Sequence, residues 1–186
     1  MAPIVEFVLE GDIEPPSGHM EYPGTISLRE SIFRSLLTDI CSSLKQHGFK
    51  DVILIGDSGG NQNGMKEVAK ALNKRWGGNP TVVHYIPEYY EQDIWSHNYL
   101  ETIGVYRTQD QEIHSNYHYE AIMATVDPES IRTEQRIVAD KYSVNDFDMN
   151  PPRKTKENGK KLVEYRANLT VDANRKAMAK RGSNKQ

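Results

Sequence analysis

The sequence has few of the features that mark secreted or membrane-embedded proteins. It contains a single cysteine, Cys41, so no internal disulfide can form, and we expect this residue to be a small member of the core. Its apolar runs are short, as in residues 52–55, and none approaches the roughly 20 apolar residues of a membrane-spanning helix. Residues 1–6 have neither a basic stretch nor a long apolar stretch, so they do not predict a signal peptide. We therefore expect a cytoplasmic protein without a membrane partner.

The net charge is small, but the charges are unevenly distributed. The 186 residues carry a formal net charge of −3, yet residues 151–186 contain 11 Lys and Arg against 3 Asp and Glu, whereas residues 1–150 contain 12 against 23. A basic tail can bind nucleic acid, but this one has a single aromatic residue, Tyr165, to stack on bases. We therefore expect no nucleic-acid partner. Residues 151–186 are interpreted as a basic C-terminal helix that packs on an acidic body.

Strand and helix patterns alternate in the first half of the chain. Residues 4–9 and 81–86 are predicted as strands, and residues 51–55 form a continuous β-branched run typical of a strand buried on both faces. A capping box of Ser27 and Glu30 predicts the start of the helix that follows the first strand. A second helix is predicted from apolar residues at helical spacing, namely Met65, Val68, Ala69, Leu72 and Trp76. This order predicts an α/β fold with a mostly parallel sheet covered by helices.

The second half of the chain is predicted to be mainly helical. Residues 87–117 show little periodicity and suggest a long surface excursion with a short helix near residues 94–100. Helices are predicted at 119–125 and 128–138, and a long closing helix at 155–180 follows the break at Pro151-Pro152. We expect one domain over residues 1–186.

A glycine-rich turn after the central strand is the strongest candidate for a functional site. Residues 56–61 read Gly-Asp-Ser-Gly-Gly-Asn, and ligands of parallel α/β sheets bind beyond the carboxyl ends of the strands. The letters also occur around the nucleophile of trypsin-like proteases, but that fold is all-β. An SGNH-type esterase would need an Asp-x-x-His pair, which this sequence lacks, and the turn fits neither a dinucleotide fingerprint nor a P-loop. The structural alternative is a tight turn in which Ser58 or Asn61 caps the next helix.

Further motifs lie on both sides of this turn. Residues 19–28 read His-Met-Glu-Tyr-Pro-Gly-Thr-Ile-Ser-Leu, the predicted helix after them ends in His-Gly-Phe at 47–49, and the next strand runs into Ser-Gly-Gly-Asn at 58–61. In order and spacing this resembles the creatininase (creatinine amidohydrolase) family, which shows H-x-x-F/Y-P-G-T-I-S-L, a helix ending in H-G-F, and a strand running into N-G-H-G-G-N. Residues 114–120 resemble the family's H-A-G-x-x-E-T-S. The resemblance covers residues 3–139, with a weaker likeness in the tail.

The resemblance implies a fold and a chemistry. The fold would be a three-layer α/β sandwich, and the members are commonly homo-oligomers. The chemistry would be hydrolysis of a C–N bond in a small cyclic or linear amide by water activated at a dinuclear zinc or manganese centre, since two divalent ions lower the pKa of water and polarise the carbonyl.

The resemblance also implies particular site residues. His114 and Glu120 are the candidate catalytic residues and metal ligands, and Asp57 is a further candidate ligand because Ser58 stands where the family has a histidine. The candidate substrate pocket comprises His19, Ser58, Gly59, Gly60 and Asn61.

One family feature has no counterpart in the sequence. The metal-binding segment G-S-x-E-Q-H-G-x-H-L-P-L-x-T-D, which opens the family pattern, is absent, so the domain is expected to be N-terminally incomplete. Two hypotheses follow. The protein is either a metal-dependent amidohydrolase, or a degenerate relative that binds or interacts without a complete metal site.

Overall fold

The computed structural model describes residues 4–91, 96, 98–105 and 116–183. The chain divides into two compact units. Unit 1 comprises Met1–Tyr90 with Asp172–Gln186, and unit 2 comprises Glu91–Val171.

Unit 1 is built around a βαβ element. Helix α1 (Glu30–Gln46) precedes strand β1 (Asp51–Leu54), and helix α2 (Gly59–Arg75) connects β1 to strand β2 (Val82–Tyr85). The two strands pair in parallel, with Asp51 opposite Val82 and Leu54 opposite Tyr85. Short 3₁₀ helices at Gly18–Glu21 and Pro87–Tyr89 complete the unit. The predicted α/β class is confirmed, with a two-stranded parallel sheet in the described chain.

The core of unit 1 lies between the two helices and one face of the sheet. It contains Phe33, Leu37 and Cys41 of α1, Val52 and Leu54 of β1, Met65, Val68, Ala69 and Leu72 of α2, and Val83 of β2. Cys41 is fully buried, which confirms its predicted place in the core, and this burial raises the pKa of its thiol from 9.0 to about 11. A neutral thiol in that position is a small apolar side chain and not a nucleophile.

The strand predicted at residues 4–9 is wrong. This segment is not part of a strand. It contacts the segment before α1 through one backbone hydrogen bond, in which the Leu28 amide donates to the Val8 carbonyl at 2.8 Å. Ile4 and Phe7 are exposed. A short apolar segment forms a strand only where a ladder partner lies alongside, and a single bond does not make a ladder.

Burial of β1 on both faces is also wrong. Val52 and Leu54 are buried, but Ile53 is 36% exposed. The apolar run at 52–55 therefore belongs to a strand with one covered face in unit 1. Helices α1 and α2 pack on the face that carries Val52 and Leu54.

Of the two caps predicted for α1, the one at the carboxyl end forms and the one at the amino end does not. The predicted capping box does not form, because the N-cap residue is Arg29 and has no side-chain cap bond, while the Ser27 hydroxyl bonds to the 10–11 loop. At the other end Gly48 has a φ of 84° and its amide bonds to the Lys45 carbonyl, while the Phe49 amide bonds to the Leu44 carbonyl. These two bonds form a Schellman cap, as the glycine predicts.

Polar side chains complete the amino end of the sheet. His84 on β2 is buried, and its Nε2 donates to Asp51 Oδ1 at 2.8 Å. Arg181 of the C-terminal helix pairs with the other oxygen of Asp51. On the outer edge of β2, the Asn73 amide donates to the Val83 carbonyl at 2.7 Å and accepts from the Val83 amide at 2.8 Å. This amide thus takes the place of a neighbouring strand along part of that edge.

Unit 2 is mainly helical, as predicted. Its elements are α3 (Asn98–Thr102), α4 (Tyr117–Val126), α5 (Thr133–Val138), the hairpin strands β3 (Ser143–Val144) and β4 (Phe147–Asp148), and the first part of α6 (Pro152–Ser183). The helix predicted at 128–138 is shorter in the structure, because residues 128–132 form turns. The excursion predicted at 87–117 lies largely outside the described residues, although α3 overlaps the helix expected near 94–100.

Two features of unit 2 were not predicted. Asn145 and Asp146 have φ angles of 48° and 62°, so they form the turn of the β3–β4 hairpin, where Asn and Asp tolerate the left-handed region. In α6, a Cβ at Gly159 would lie 1.8 Å from the Ala121 carbonyl. Glycine is therefore required there for α4 and α6 to approach so closely.

The described residues include no helix long and apolar enough to cross a membrane. Helix α6 is instead polar and basic, with a buried stripe that includes Thr155, Asn158, Leu162, Thr170 and Ala173.

Candidate functional site

The glycine-rich turn connects the carboxyl end of β1 to the first turn of α2. Ser58 occupies the N-cap position in an extended conformation but makes no side-chain cap bond, so neither of the predicted caps forms. Gln62 fixes the turn from inside the helix, because its Nε2 donates to the carbonyls of Gly56 and Ser58 at 3.1 and 2.7 Å. Tyr85 of β2 holds this side chain by donating to its Oε1 at 2.9 Å.

Asn61 lies in the first turn of α2 and is 6% exposed. Its side-chain carbonyl oxygen is buried without a hydrogen-bond partner among the residues that the structure describes. A buried acceptor without a donor costs about 1–3 kcal/mol, so such groups are rare unless another requirement keeps them. The buried oxygen of Asn61 therefore lowers folding stability at this point of the turn.

The segment before α1 lies against this turn. A Cβ at Gly60 would lie 2.5 Å from the carbonyl oxygen of Leu9, so only glycine permits the observed approach of the two segments. Gly59 is similarly close to Tyr90, whose hydroxyl oxygen would lie 2.9 Å from an added Cβ. Gly60 thus lies against backbone where a side chain would clash, whereas Gly59 lies against the end of a tyrosine side chain that can move, and both glycines are exposed.

An acid–imidazole pair lies in the segment that contacts the turn. His19 Nδ1 donates to Glu10 Oε2 at 2.6 Å, and the two side chains are 44% and 22% exposed. The sequence predicted His19 as a pocket residue but missed Glu10. The signal in the sequence is weak, since Glu10 stands nine positions from His19 and only the fold of the loop brings the two side chains together.

The structure places the other predicted site residues in both units. Asp57, Ser58, Gly59, Gly60 and Asn61 lie in the turn of unit 1. Glu120 lies on α4 in unit 2, where its carboxylate accepts from Arg136 at 3.1 Å. His114 lies outside the described residues. The roles assigned to these residues stay predictions.

We tested whether the described side chains fit a metal centre. Within residues 4–91, 96, 98–105 and 116–183, no three His, Cys, Asp or Glu side chains form a group that could hold an ion. Glu10 and His19 are already bonded to each other, and Glu120 is bonded to Arg136. The described side chains therefore do not supply the donor set of a zinc or manganese centre, which takes four or more ligands.

Comparison with known protein families identifies the chain. The model of the creatininase family, described as creatinine amidohydrolase, matches residues 15–184. The chain belongs to the creatininase family. The match extends the resemblance seen in residues 3–139 through α6, so the basic tail is part of the family pattern. A search of curated proteins and a search of solved structures found no match to this chain.

Proposed function

We propose that this creatininase-family protein hydrolyses a C–N bond of a small cyclic or linear amide, with zinc or manganese as its cofactor. The observation that carries the proposal is the family match over residues 15–184. The arrangement around the glycine-rich turn supports it, since this turn lies at the carboxyl end of a parallel strand, where ligands of α/β folds bind. We also propose that the fold is the family's three-layer sandwich and that the protein forms a homo-oligomer.

In this proposal the turn and the loop beside it form the substrate pocket. The close approach of Gly60 to Leu9 leaves no room for a larger side chain at that point of the turn, and Gln62 holds the turn carbonyls in place. His19 lies in the same loop as Leu9 and supplies an imidazole to the pocket. Asp57 is the described residue of unit 1 that we propose as a metal ligand.

A second function is favoured by a specific observation. No group of three potential ligands occurs among the described residues, and two of the available carboxylates are held by His19 and Arg136. This arrangement suits a catalytically degenerate relative that binds a small molecule or a partner without a complete metal site. The two functions predict different metal contents.

The experiment measures metal content and amide hydrolysis in one preparation. The purified protein is incubated with zinc or manganese, freed of unbound ion, and analysed by inductively coupled plasma mass spectrometry; release of ammonia or amine is then followed with a panel of cyclic and linear amides. The hydrolase proposal predicts stoichiometric metal and turnover. Asp57→Asn should lower both, while Asp39→Asn, the same change at an exposed position of α1, should leave both unchanged. Absence of metal and of turnover would instead support the binding function.

A further inference from the structure

A cavity in unit 1 lies beside strand β2, and none of the residues that line it belongs to the glycine-rich turn. It encloses about 540 Å³ between β2, the end of α2 and the last turns of α6. The Asn73 amide bonds to the main chain of Val83, and in the described part of the chain β2 has no strand partner except β1. The outer side of β2 is therefore open to side chains of α6. The volume is typical of small-molecule pockets, which enclose about 300–1,000 Å³.

The wall of this cavity carries positive charge. Lys180 and Arg181 line it on the side of α6, and the described lining residues include no Asp or Glu. Lys180 makes no ion pair among the residues that the structure describes. Arg181 uses Nη1 to pair with Asp51, so the other donors of its guanidinium group are available to a ligand. The cavity therefore favours an anion, and a guanidinium fork beside an ammonium group suits the oxygens of a phosphate or a carboxylate.

The imidazole of His84 is a third polar group in the wall. This residue is 8% exposed and lines the cavity. Its Nε2 donates to Asp51 Oδ1 at 2.8 Å, and because a carboxylate has no hydrogen to give, the ring hydrogen lies on Nε2. The Nδ1 atom of the neutral ring is then an acceptor, and it makes no hydrogen bond within the described residues. A ligand that carries a hydrogen-bond donor beside its anionic group matches both kinds of partner.

Asp51 holds two of these groups in place before any ligand arrives. One carboxylate oxygen accepts from His84 and the other pairs with Arg181, and the Asp51 side chain is 20% exposed. The ring orientation and the position of the guanidinium group are thus set by the fold. Groups that are ordered in advance lose little conformational entropy when a ligand binds, so the affinity is not reduced by that cost.

We propose that the cavity beside β2 binds a small oxyanion that carries a hydrogen, namely a monohydrogen phosphate group or a hydroxycarboxylate. Arg181 and Lys180 bind the charged oxygens, and Nδ1 of His84 accepts the hydrogen of the ligand. Asp51 is a positioning residue, because it acts through His84 and Arg181. This site is distinct from the pocket proposed for amide hydrolysis and does not depend on that function.

The test compares pairs of anions that differ in a single donor. The ¹⁵N-labelled full chain is titrated at constant ionic strength, with chloride as the baseline, and the backbone amides of residues 78–85 are followed by two-dimensional NMR. Phosphate, at a pH at which it is mostly the monohydrogen dianion, is compared with sulfate, which has the same charge and shape but no hydrogen. Glycolate is compared with acetate in the same way. We expect saturable shifts, with the hydrogen-bearing anion of a pair binding roughly tenfold more tightly than its partner.

The two pairs also identify the source of the anionic group. Tighter binding of phosphate than of glycolate assigns the site to phosphate-bearing ligands, and the reverse order assigns it to hydroxycarboxylates. Absence of saturable shifts with both phosphate and glycolate would overturn the inference. Equal binding within both pairs would overturn it as well, because His84 would then accept nothing from the ligand.

Variants separate a built site from general surface charge. We expect Lys180→Gln to weaken binding roughly fivefold or more, and Lys176→Gln, the same change at an exposed position of α6 outside the cavity wall, to leave it unchanged. Arg181→Gln should weaken binding further, and thermal unfolding of this variant shows whether the fold persists without the bond to Asp51. Equal effects of Lys180→Gln and Lys176→Gln would contradict the proposal, whatever Arg181→Gln does.

Discussion

The two ends of strand β1 differ in how their polar groups are satisfied. At the amino end, Asp51 accepts from both His84 and Arg181, and a side-chain amide closes the outer edge of β2. At the carboxyl end, Asn61 keeps a buried carbonyl oxygen without a described partner, and the glycine turn lies against the backbone of Leu9. One end of the same short strand is thus fully bonded, and the other retains an uncompensated polar group.

This difference indicates that the two ends of β1 contribute differently to the stability of the unit. A bonded network that joins β1, β2 and the last turns of α6 stabilises the unit, since each buried polar atom has a partner. A buried acceptor without a donor lowers stability, and natural sequences accept such departures mainly at functional sites. The comparison therefore assigns stability to the amino end, and the carboxyl end stays the place where we propose that a ligand binds.

Removing the carboxylate at the amino end tests the stability half of this comparison and should have the largest effect. Asp51→Ala leaves the buried His84 ring and the Arg181 guanidinium without their partner, and we expect the free energy of unfolding to fall by about 3 kcal/mol. Urea unfolding followed by circular dichroism measures it. The control is Asp172→Ala, because Asp172 pairs with Arg175 at 3.8 Å on the exposed surface of α6, the helix that carries Arg181. Removing this carboxylate should lower the free energy of unfolding by less than about 0.5 kcal/mol. Equal losses in the two variants would show that the network at Asp51 contributes no more than a surface pair.

Crowding the carboxyl end should have an intermediate effect. Gly60→Ala places a Cβ 2.5 Å from the Leu9 carbonyl oxygen, so the loop before α1 must move away from the turn. We expect a loss of about 2 kcal/mol in the free energy of unfolding and a loss of amide hydrolysis. Gly77→Ala is the control, since its Cβ would meet its nearest neighbour, the Lys74 carbonyl oxygen, at 3.6 Å. A fully active and stable Gly60→Ala protein would mean that the approach of Leu9 to the turn is not required.

Replacing the unpartnered amide should have the smallest effect, and of the opposite sign. Asn61→Leu keeps a branched side chain and removes the unpaired acceptor, so we expect the free energy of unfolding to rise by about 1 kcal/mol while amide hydrolysis falls. Asn63→Leu makes the same change at an exposed position of α2 and should alter neither quantity appreciably. Thermal unfolding measures the change in stability, and the amide assay measures the change in activity. Destabilisation by Asn61→Leu would indicate that the amide supports the turn, and would remove the contrast between the two ends.

The sequence predicted the helices of the chain well where their signals are local. The apolar stripe and Gly48 located α1 and its end, the pattern from Met65 to Leu72 located α2, and the break at Pro151-Pro152 located the start of α6. Such signals depend on residues within one or two turns of each other, so the physical cause is contained in the segment itself.

The predictions that were wrong concern residues whose bonding depends on other segments of the chain. Ser27 had the spacing of a helix cap but bonds to the loop at residues 10–11. Residues 4–9 are mostly apolar but have no ladder partner in the described part of the chain. In the candidate site, the glycines and His19 were predicted, whereas Glu10 was not. Its meeting with His19 depends on a loop in which Gly11 and Gly18 have positive φ angles and Ser27 bonds to the Gly11 carbonyl.

The sequence by itself determined the α/β class, the long helices, the buried thiol of Cys41 and the motifs of the creatininase family, because helix periodicity, capping and motif spacing are local properties of the chain. Only the tertiary structure decided that Asp51 would join His84 to Arg181, that Asn61 would be buried without a partner, and that Glu10 would hold His19. Asp51 and its partners come from segments far apart in sequence, and the burial of Asn61 and the meeting of Glu10 with His19 depend on how the surrounding segments fold. The energy of such an arrangement exists only after the chain has folded.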